Sequence, residues 1–408
     1  MARKFFALSS FAQFIVVALV VILSAGRAQA GEKVILSFNN TEGANPLSTL
    51  TPDSYGNLYG TTASGGTHGC GTVFELSPSG SSWTETTLYS FNGCDAQAMT
   101  PRGPLTLDSS GNLYGVLQGY LIEGWIFELS RSGNGTWTET IIHEFKPKEG
   151  MPNPDLTGDS SGNLYGTTQL DSTGYNGEVF EFSPQSNGTW KETVLYSFPA
   201  PDGVGMPVAG VIFDGKGNLY GAAFEGVGGN GGSGAIYELS PPQSGGTWSF
   251  TLLFSFAATN GAPSSRLVFD ANGNLYGTSD NGPGLYGSIF ELLPSAGGTW
   301  IEKIIHTFNL NDGYYPIGTP ILDAAGNVYG TTISGGSGCN QNSCGVVYKL
   351  TPQGKGNWKE AILHPFESAT DGSEPGSGLY LDSSGNLYGT TYYGGSRYGY
   401  GTVYQITP

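Results

Sequence analysis

A five-residue phrase, Gly-Asn-Leu-Tyr-Gly, recurs through the chain and constrains its fold more than any other feature. It begins at Gly56 and returns six more times, at intervals of 51–59 residues. The later copies begin at Gly111, Gly162, Gly217, Gly273, Gly326 (as GNVYG) and Gly385. Self-similarity at this period is typical of propellers and solenoids, so the sequence indicates seven copies of one structural unit.

Each copy predicts four short antiparallel strands. In the first copy, an Asp-x-x-Gly-Asn turn joins an inner strand over Pro46–Asp53 to a second strand over Leu58–Thr62. An alternating third strand covers Thr72–Leu76, and a fourth strand rich in Thr and aromatic residues covers Trp83–Phe91. Four such strands repeated seven times predict an all-β fold, a seven-bladed β-propeller of four-stranded antiparallel blades.

The two ends of the chain predict how the ring closes. The seventh copy stops at Pro408 after its third strand and lacks the Trp-containing fourth. Near the N-terminus, Glu32–Phe38 resembles Glu192–Phe198, which belongs to a fourth strand. The N-terminal strand is therefore expected to complete the last blade, which hides an edge strand and ties down both ends.

The first 30 residues have the pattern of a signal peptide. A basic start at Arg3 and Lys4 precedes an apolar stretch over residues 11–23, and Ala28-Gln29-Ala30 provides a small-x-small cleavage site. An uncleaved membrane anchor is the alternative. We predict a signal peptide over residues 1–30 and a single propeller domain over residues 31–408, located in the periplasm or outside the cell.

Charge excludes several classes of partner. The formal net charge of -17 becomes -20 when the three cationic residues of the leader are removed. An acidic surface repels nucleic acid and anionic lipid. We therefore expect no nucleic-acid partner, no membrane partner after cleavage, and a monomer whose partner is an extracellular glycan or protein.

The four cysteines fit an oxidising compartment. Cys70 and Cys94 flank strands of the first repeat, whereas Cys339 and Cys344 lie together in the sixth. Because the first and sixth repeats are not neighbours in a ring of seven, we predict the disulfides Cys70–Cys94 and Cys339–Cys344. A four-thiolate zinc site is the alternative.

Loops on one face of the propeller differ from repeat to repeat, and these are the candidate binding loops. Loops on a rigid scaffold usually carry function. Tyrosine rings beside polar groups suit sugar rings, which stack on one face and hydrogen-bond at the edge. The predicted ligand-binding residues are Tyr314, Tyr315, Tyr392, Tyr393, Arg397, Tyr398 and Tyr400, with Asp312 and Asp371.

Two repeated sets of acids raise the question of a metal. One set precedes Gly in the fourth-to-first loops and could hold calcium as a ring of carboxylates at the channel mouth. The other set is the Asp of the Asp-x-x-Gly-Asn hairpins. The interpretation we favour for both is turn capping, so we predict no metal site and no cofactor, with calcium as the alternative.

No catalytic residue is predicted. Three of the four histidines, His143, His306 and His364, occupy a position that holds Tyr or Phe in other fourth strands, so they are interpreted as aromatic substitutes. The sequence contains no zinc-protease motif, and no nucleophile elbow, P-loop or dinucleotide fingerprint in its required strand–helix context.

The full repeat, D-x-x-G-N-L-Y-G-T-T…G-T-V-F-E-L-S-P…W-x-E-T-x-L-Y-S-F, resembles the GloVer-type tandem repeat of secreted bacterial proteins. Its core is also similar to NHL and two-component-regulator propeller repeats. The resemblance implies a propeller and no particular activity. We expect a secreted, non-enzymatic propeller that binds a glycan or protein through the variable face.

Two other functions stay open. The first is an enzyme acting on extracellular polysaccharide, a glycosidase or lyase with Asp312, Asp371 and Glu374 at the channel mouth. The second is a purely structural surface protein.

Overall fold

The computed structural model describes residues 30–94, 100–119, 123–169, 176–199, 203–226, 234–282, 284–337, 344–368, 370–395 and 399–408. Within these ranges the chain forms strands and turns without a helix. Accordingly, no described segment is a helix of the length and apolar character needed to cross a membrane.

Strands β1–β31 form seven antiparallel sheets, each of which is one blade. β1 (Gly31–Ser37) comes first. Blade 1 contains β2 (Ala44–Pro46), β3 (Thr51–Pro52), β4 (Leu58–Ser64), β5 (Thr72–Ser79) and β6 (Ser82–Ser90). Blade 2 contains β7 (Thr100–Pro101), β8 (Thr106–Leu107), β9 (Leu113–Gln118), β10 (Gly124–Arg131) and β11 (Trp137–Phe145). Blade 3 contains β12 (Thr157–Gly158), β13 (Leu164–Thr168), β14 (Glu178–Pro184) and β15 (Trp190–Ser197).

Blade 4 contains β16 (Gly205–Pro207), β17 (Ile212–Phe213), β18 (Leu219–Glu225), β19 (Ala235–Ser240) and β20 (Ser249–Ser255). Blade 5 contains β21 (Val268–Phe269), β22 (Leu275–Ser279), β23 (Ser288–Pro294) and β24 (Trp300–Thr307). Blade 6 contains β25 (Ile321–Leu322), β26 (Val328–Thr332), β27 (Val346–Gly354) and β28 (Asn357–Pro365). Blade 7 contains β29 (Tyr380–Leu381), β30 (Leu387–Thr391) and β31 (Thr402–Thr407). The seven-bladed propeller predicted from the repeat is confirmed.

The ring closes as the sequence predicts. β1 pairs antiparallel with β31, in a register that runs from Gly31 opposite Thr407 to Ser37 opposite Thr402. The first strand is thus the outermost strand of blade 7. This pairing gives the last blade its fourth strand and leaves β31 without a free edge.

The hairpin aspartates are turn caps, as predicted. In blade 1, one oxygen of Asp53 accepts hydrogen bonds from the backbone N–H groups of Tyr55 (2.8 Å) and Asn57 (2.9 Å). The other oxygen accepts from the Asn57 amide (2.8 Å) and the Tyr59 hydroxyl (3.2 Å). The same bonds to backbone and Asn recur at Asp108, Asp159, Asp214, Asp270, Asp323 and Asp382. These carboxylates are therefore occupied by the turn itself.

The repeated phrase also joins neighbouring blades, which the sequence interpretation did not foresee. Its tyrosine is buried, and in blade 7 the ring of Tyr388 packs edge-on against Trp83 of blade 1, with centroids 5.8 Å apart. Equivalent pairs join Tyr114 to Trp190 and Tyr276 to Trp358. Seven clusters of buried apolar side chains lie one at each blade interface. The core is thus distributed around the ring, between the blades.

One predicted disulfide, Cys70–Cys94, is confirmed, with the two Cα atoms 5.3 Å apart. Cys344 is also disulfide-bonded, and its predicted partner Cys339 lies outside the described residues. These bonds rule out the four-thiolate zinc site.

Candidate ligand-binding face and channel

Two tyrosine pairs stand on the variable face, in adjacent blades. Tyr314 and Tyr315 lie before the inner strand of blade 6, with ring centroids 4.5 Å apart. Tyr286 of blade 5 packs edge-on against Tyr314 at 6.1 Å. Tyr392 and Tyr393 follow β30 in blade 7, and their perpendicular rings are also 4.5 Å apart.

One ring of each pair is open to solvent: Tyr315 is 40% exposed and Tyr393 is 45% exposed. Backbone hydrogen bonds hold both loops. The N–H of Tyr315 donates to Tyr286 O (3.1 Å), and Tyr393 exchanges two bonds with Ser373 (2.9 and 3.2 Å). Exposed rings on fixed backbone can stack on a ligand at a low entropic cost.

The rest of the predicted tyrosine cluster is only partly described. Tyr400 is part-buried at the seam between blades 7 and 1, where its carbonyl accepts the N–H of Asn45 (2.8 Å). The Asn45 amide also donates to Tyr392 O (3.0 Å). Arg397 and Tyr398 lie outside the described residues.

Two of the acids predicted at the channel mouth, Asp312 and Asp371, lie elsewhere in the structure. Asp312 and Asp371 lie against His306 and His364, on the outermost strands of blades 5 and 6. These strands are at the opposite edge of each sheet from the strands that line the channel. At the start of blade 7, the backbone N–H of Glu374 donates to Cys344 O (3.1 Å), and its carbonyl accepts the N–H of Tyr392 (3.2 Å).

The same acids confirm the turn interpretation of their loops. Asp312 accepts the backbone N–H of Asn309 (2.6 Å), and Asp371 accepts the N–H of Glu367 (3.0 Å). They cap separate loops and do not form a common ring of calcium ligands.

The central channel is instead lined by the inner segments of all seven blades. A cavity of about 280 Å³ opens there, and its lining includes Leu47 and Ile317 as well as serine, threonine and glycine residues. Its charged lining residues are Arg102, Asp155 and Arg266. The channel therefore carries more positive than negative charge inside a strongly acidic protein.

Both channel arginines have unused hydrogen-bonding capacity. One terminal nitrogen of Arg266 donates to the Thr157 hydroxyl (2.7 Å) and to Val211 O (3.1 Å), which fixes the side chain across blade 4. The Nε atoms of Arg102 and Arg266 are buried and have no acceptor. Buried donors are normally paired, so an acceptor from outside the protein would satisfy them.

Asp155 is the acid of the channel. Burial raises its pKa, opposed by the charge of Arg266 and by a hydrogen bond from the backbone of Gly210. Burial in turn lowers the pKa of Arg266, and Asp155 opposes this change. No carboxylate of the described residues lies within salt-bridge distance of either channel arginine.

A second set of polar clusters lies between the outer strands. His306 Nε2 is 3.6 Å from Asp312 Oδ2 and 3.6 Å from Glu360 Oε1 of the next blade. His143 Nε2 is 3.3 Å from Glu149 and 3.9 Å from Glu192. Each histidine also packs on a phenylalanine, which confirms the aromatic role predicted for it. The prediction did not include the contacts of its ring nitrogen with acids. Burial raises the pKa of Glu360 to about 7, with His306 lowering it and Asp312 raising it.

The sequence contains signals for the residues that its interpretation missed. Arg102, Asp155 and Arg266 are charged residues in inner segments that are otherwise small or apolar. The outer clusters also have a sequence signal. An acid lies six residues after His143 and after His306, and the next repeat supplies the Glu of its Trp-x-Glu motif.

Comparison with known proteins supports the fold. The Gloeobacter/Verrucomicrobia repeat matches residues 21–138, 118–340 and 278–408. None of the curated proteins matches the chain.

Two solved structures share the architecture. An ulvan lyase, a polysaccharide lyase bound to a GlcA(1-4)Rha3S chain, is similar with a TM-score of 0.57 at 11% identity over 88% of this chain and 93% of its own. A candidate 6-phosphogluconolactonase from Bacteroides uniformis has a TM-score of 0.53 at 14% identity over 82% and 88%. At these identities the similarity is one of fold.

Proposed function

The chain belongs to the Gloeobacter/Verrucomicrobia repeat family, and we propose that this member is a secreted propeller that binds an acidic polysaccharide at the variable-face mouth of its channel. The observation that carries the proposal is the pair of channel arginines whose Nε donors lack acceptors. Guanidinium groups recognise carboxylates and sulfates with paired hydrogen bonds.

The tyrosine pairs would provide the second element of recognition. Tyr315 precedes Ile317, an exposed residue of the channel lining, by two positions. A sugar ring stacked on Tyr315 could extend toward the channel and present an acidic substituent there. Combined stacking and charge recognition would select acidic polysaccharides over neutral ones, and the acidic outer surface would limit their contact to the channel mouth.

Binding of matched polysaccharides tests this proposal. Residues 31–408 would be titrated with a polyuronate, a sulfated glycan and a neutral glucan of similar length by calorimetry at low salt. We expect binding of at least one acidic chain, weakening as salt is raised, and a tenfold or greater loss in Arg102→Gln. Equal binding of the neutral glucan, or no effect of the substitution, would contradict the proposal.

A polysaccharide lyase is the second candidate function, favoured by the presence of Asp155 beside Arg266 in the channel. In such a reaction an arginine binds the uronate carboxylate while a base removes the proton from the adjacent carbon, C5. The electron pair left on C5 forms a C4–C5 double bond, the C4–O glycosidic bond breaks, and the departing oxygen takes a proton from an acid or from water. The ulvan lyase shows that the fold accommodates this class of enzyme. Ultraviolet absorbance of unsaturated products would reveal the activity, and Asp155→Asn should abolish it while leaving polysaccharide binding intact.

A further inference from the structure

The outer-strand clusters differ from interface to interface. Those of blades 2–3 and 5–6 both bring a histidine and two acids within 4.8 Å, but His143 has a hydrogen bond to Glu149 (3.3 Å), whereas His306 has none. Each interface brings one residue near the end of a fourth strand, two positions before a phenylalanine, against the next blade. Between blades 1 and 2, Tyr89 donates to Glu139 (2.8 Å). Between blades 3 and 4, Tyr196 stacks on Phe250 with centroids 4.8 Å apart. At both interfaces the side chain has a partner within the protein, a hydrogen bond for Tyr89 and a stacked ring for Tyr196.

The interface between blades 5 and 6 contains buried polar atoms without hydrogen-bond partners. His306 Nε2 and Glu360 Oε1 are both inaccessible to solvent and neither has a hydrogen-bond partner. They point at each other and at Asp312, with all three ligand atoms within 4.8 Å of one another. Buried polar atoms without partners are uncommon, so their convergence needs an explanation.

The spacing of these atoms fits a shared ion. Zinc bonds to nitrogen and oxygen are about 2.0–2.2 Å long, which places the ligands of a tetrahedral site about 3.4 Å apart. The two distances from His306 Nε2, both 3.6 Å, lie beyond good hydrogen bonds and close to that value. Asn309 donates from its backbone to Asp312 Oδ1 (2.6 Å) and from its side-chain amide to Oδ2 (2.5 Å), and so orients the carboxylate.

We propose that His306, Asp312 and Glu360 bind a divalent transition-metal ion of the zinc class, which links blades 5 and 6. An imidazole nitrogen favours such ions over calcium and magnesium, which prefer oxygen ligands. Two carboxylates balance the charge of the ion. The three side chains are 14–19% exposed although the His306 and Glu360 ligand atoms are covered, so the cluster lies close to the surface and water would be the fourth ligand of a bound ion.

The neighbouring interface provides a natural metal-free version of the site. Between blades 4 and 5 the same positions hold Phe254, Asn260 and Glu302, and the Asn260 amide donates to Glu302 (2.5 Å). The double variant His306→Phe/Asp312→Asn therefore copies an arrangement that the fold already accommodates. It removes two ligands without leaving an unfilled space.

Metal counting tests the proposal. A tag-free chain would be stripped with chelator, exposed to excess zinc at pH 7.5, gel-filtered and analysed by mass spectrometry. We expect the wild type to retain one more zinc per chain than the double variant, and zinc to raise the melting temperature of the wild type more. Equal zinc content in the two proteins would overturn the proposal.

A second variant controls for non-specific binding by histidine. His364 Nε2 already bonds Asp371 at 3.0 Å, and Glu32, the acid that faces them from blade 7, is not close enough to bring all three ligand atoms within 4.8 Å. His364→Phe should therefore leave the zinc content unchanged. A loss equal to that of the double variant would also overturn the proposal. Because this site is separate from the channel, the result is independent of polysaccharide binding.

Discussion

Pro46 packs on Gly401 across the seam between the first and last blades, with its Cδ 2.6 Å from the point that a Cβ on Gly401 would occupy. The contact is not special to the seam. A proline at the start of each inner segment meets a glycine at or just before the start of the third strand of the preceding blade; the other pairs are Pro101/Gly71, Pro152/Gly124, Pro207/Gly177, Pro263/Gly234, Pro316/Gly287 and Pro375/Gly345. The ring therefore closes with the same contact that joins its other blades.

Substitution of Gly401 by alanine should destabilise the propeller more than substitution of Gly385. Both glycines have positive φ, +92° and +87°, so alanine is strained at each by about 1–2 kcal/mol. At Gly385 the new Cβ meets nothing within 4 Å, whereas at Gly401 it collides with Pro46 and with Thr391 O. We expect Gly401→Ala to cost about 2 kcal/mol more than Gly385→Ala in urea unfolding. Equal losses would show that the seam does not depend on this contact.

Tyr237 offers a stabilising substitution. It is fully buried and its hydroxyl has no hydrogen-bond partner, whereas blades 1, 2, 3 and 5 have Phe at the same position. An unsatisfied buried hydroxyl costs about 1–3 kcal/mol. We expect Tyr237→Phe to leave stability unchanged or to raise it, as measured by thermal unfolding.

The matched control is Tyr276→Phe. The Tyr276 hydroxyl donates to the buried Glu291 (2.7 Å), so its removal should cost about 1.5–3 kcal/mol. A larger loss from Tyr237→Phe than from Tyr276→Phe would contradict this interpretation.

The Cys70–Cys94 disulfide should stabilise the fold substantially. It closes a loop with a sequence separation of 24 residues, and constraint of the unfolded chain by such a loop is worth about 3 kcal/mol. The double variant Cys70→Ser/Cys94→Ser should unfold at a lower urea concentration than the wild type by a corresponding amount. Using the variant, and not a reductant, keeps the disulfide of Cys344 intact. An unchanged urea midpoint would show that the disulfide does not stabilise the fold.

Acid should weaken the propeller through its hairpin turns. Burial pushes the pKa of Asp382 upward, but hydrogen bonds from the side chain and backbone of Asn386 and from Ser384 and Tyr388 prevail and lower it. The unfolded state then binds the proton first as pH falls, so this stabilisation is fully present above about pH 4 and is lost as pH falls through the lowered pKa.

The variant Asp382→Asn tests whether this aspartate stabilises the protein at neutral pH and loses that effect in acid. It should be less stable than the wild type by about 1 kcal/mol at pH 7, because an amide replaces an oxygen acceptor with a donor opposite Asn386. Urea unfolding at a series of pH values should show the difference shrinking as pH falls below 4. A constant difference across that range would contradict the assignment.

Periodicity predicted the fold well because the features that define a propeller are local. The Asp-x-x-Gly-Asn turn is made by the bonds of Asp53 to the next few residues, and alternation in Thr72–Leu76 needs only the neighbouring strands. Ring closure could also be predicted, since β1 repeats the sequence of another fourth strand.

The candidate site could be predicted only in part because its residues meet across blades. Arg102 and Asp155 become neighbours of Arg266 only once seven inner segments surround one axis. Likewise, Asp312 and Glu360 are 48 residues apart and meet only at the interface of blades 5 and 6. The sequence placed Asp312 in a variable loop correctly, but the direction of its side chain depends on His306 and on the cap of its own turn.

The exposed tyrosine rings should contribute to polysaccharide binding through their faces. If a sugar stacks on Tyr393, Tyr393→Ala should weaken binding about fivefold, which corresponds to about 1 kcal/mol. Tyr393→Phe keeps the ring and should bind nearly as well as the wild type. Tyr55 is 85% exposed on the opposite, hairpin face, so Tyr55→Ala is a matched control that should have no effect. Calorimetry with an acidic polysaccharide measures all three; equal weakening by Tyr55→Ala would move the binding surface to the hairpin face.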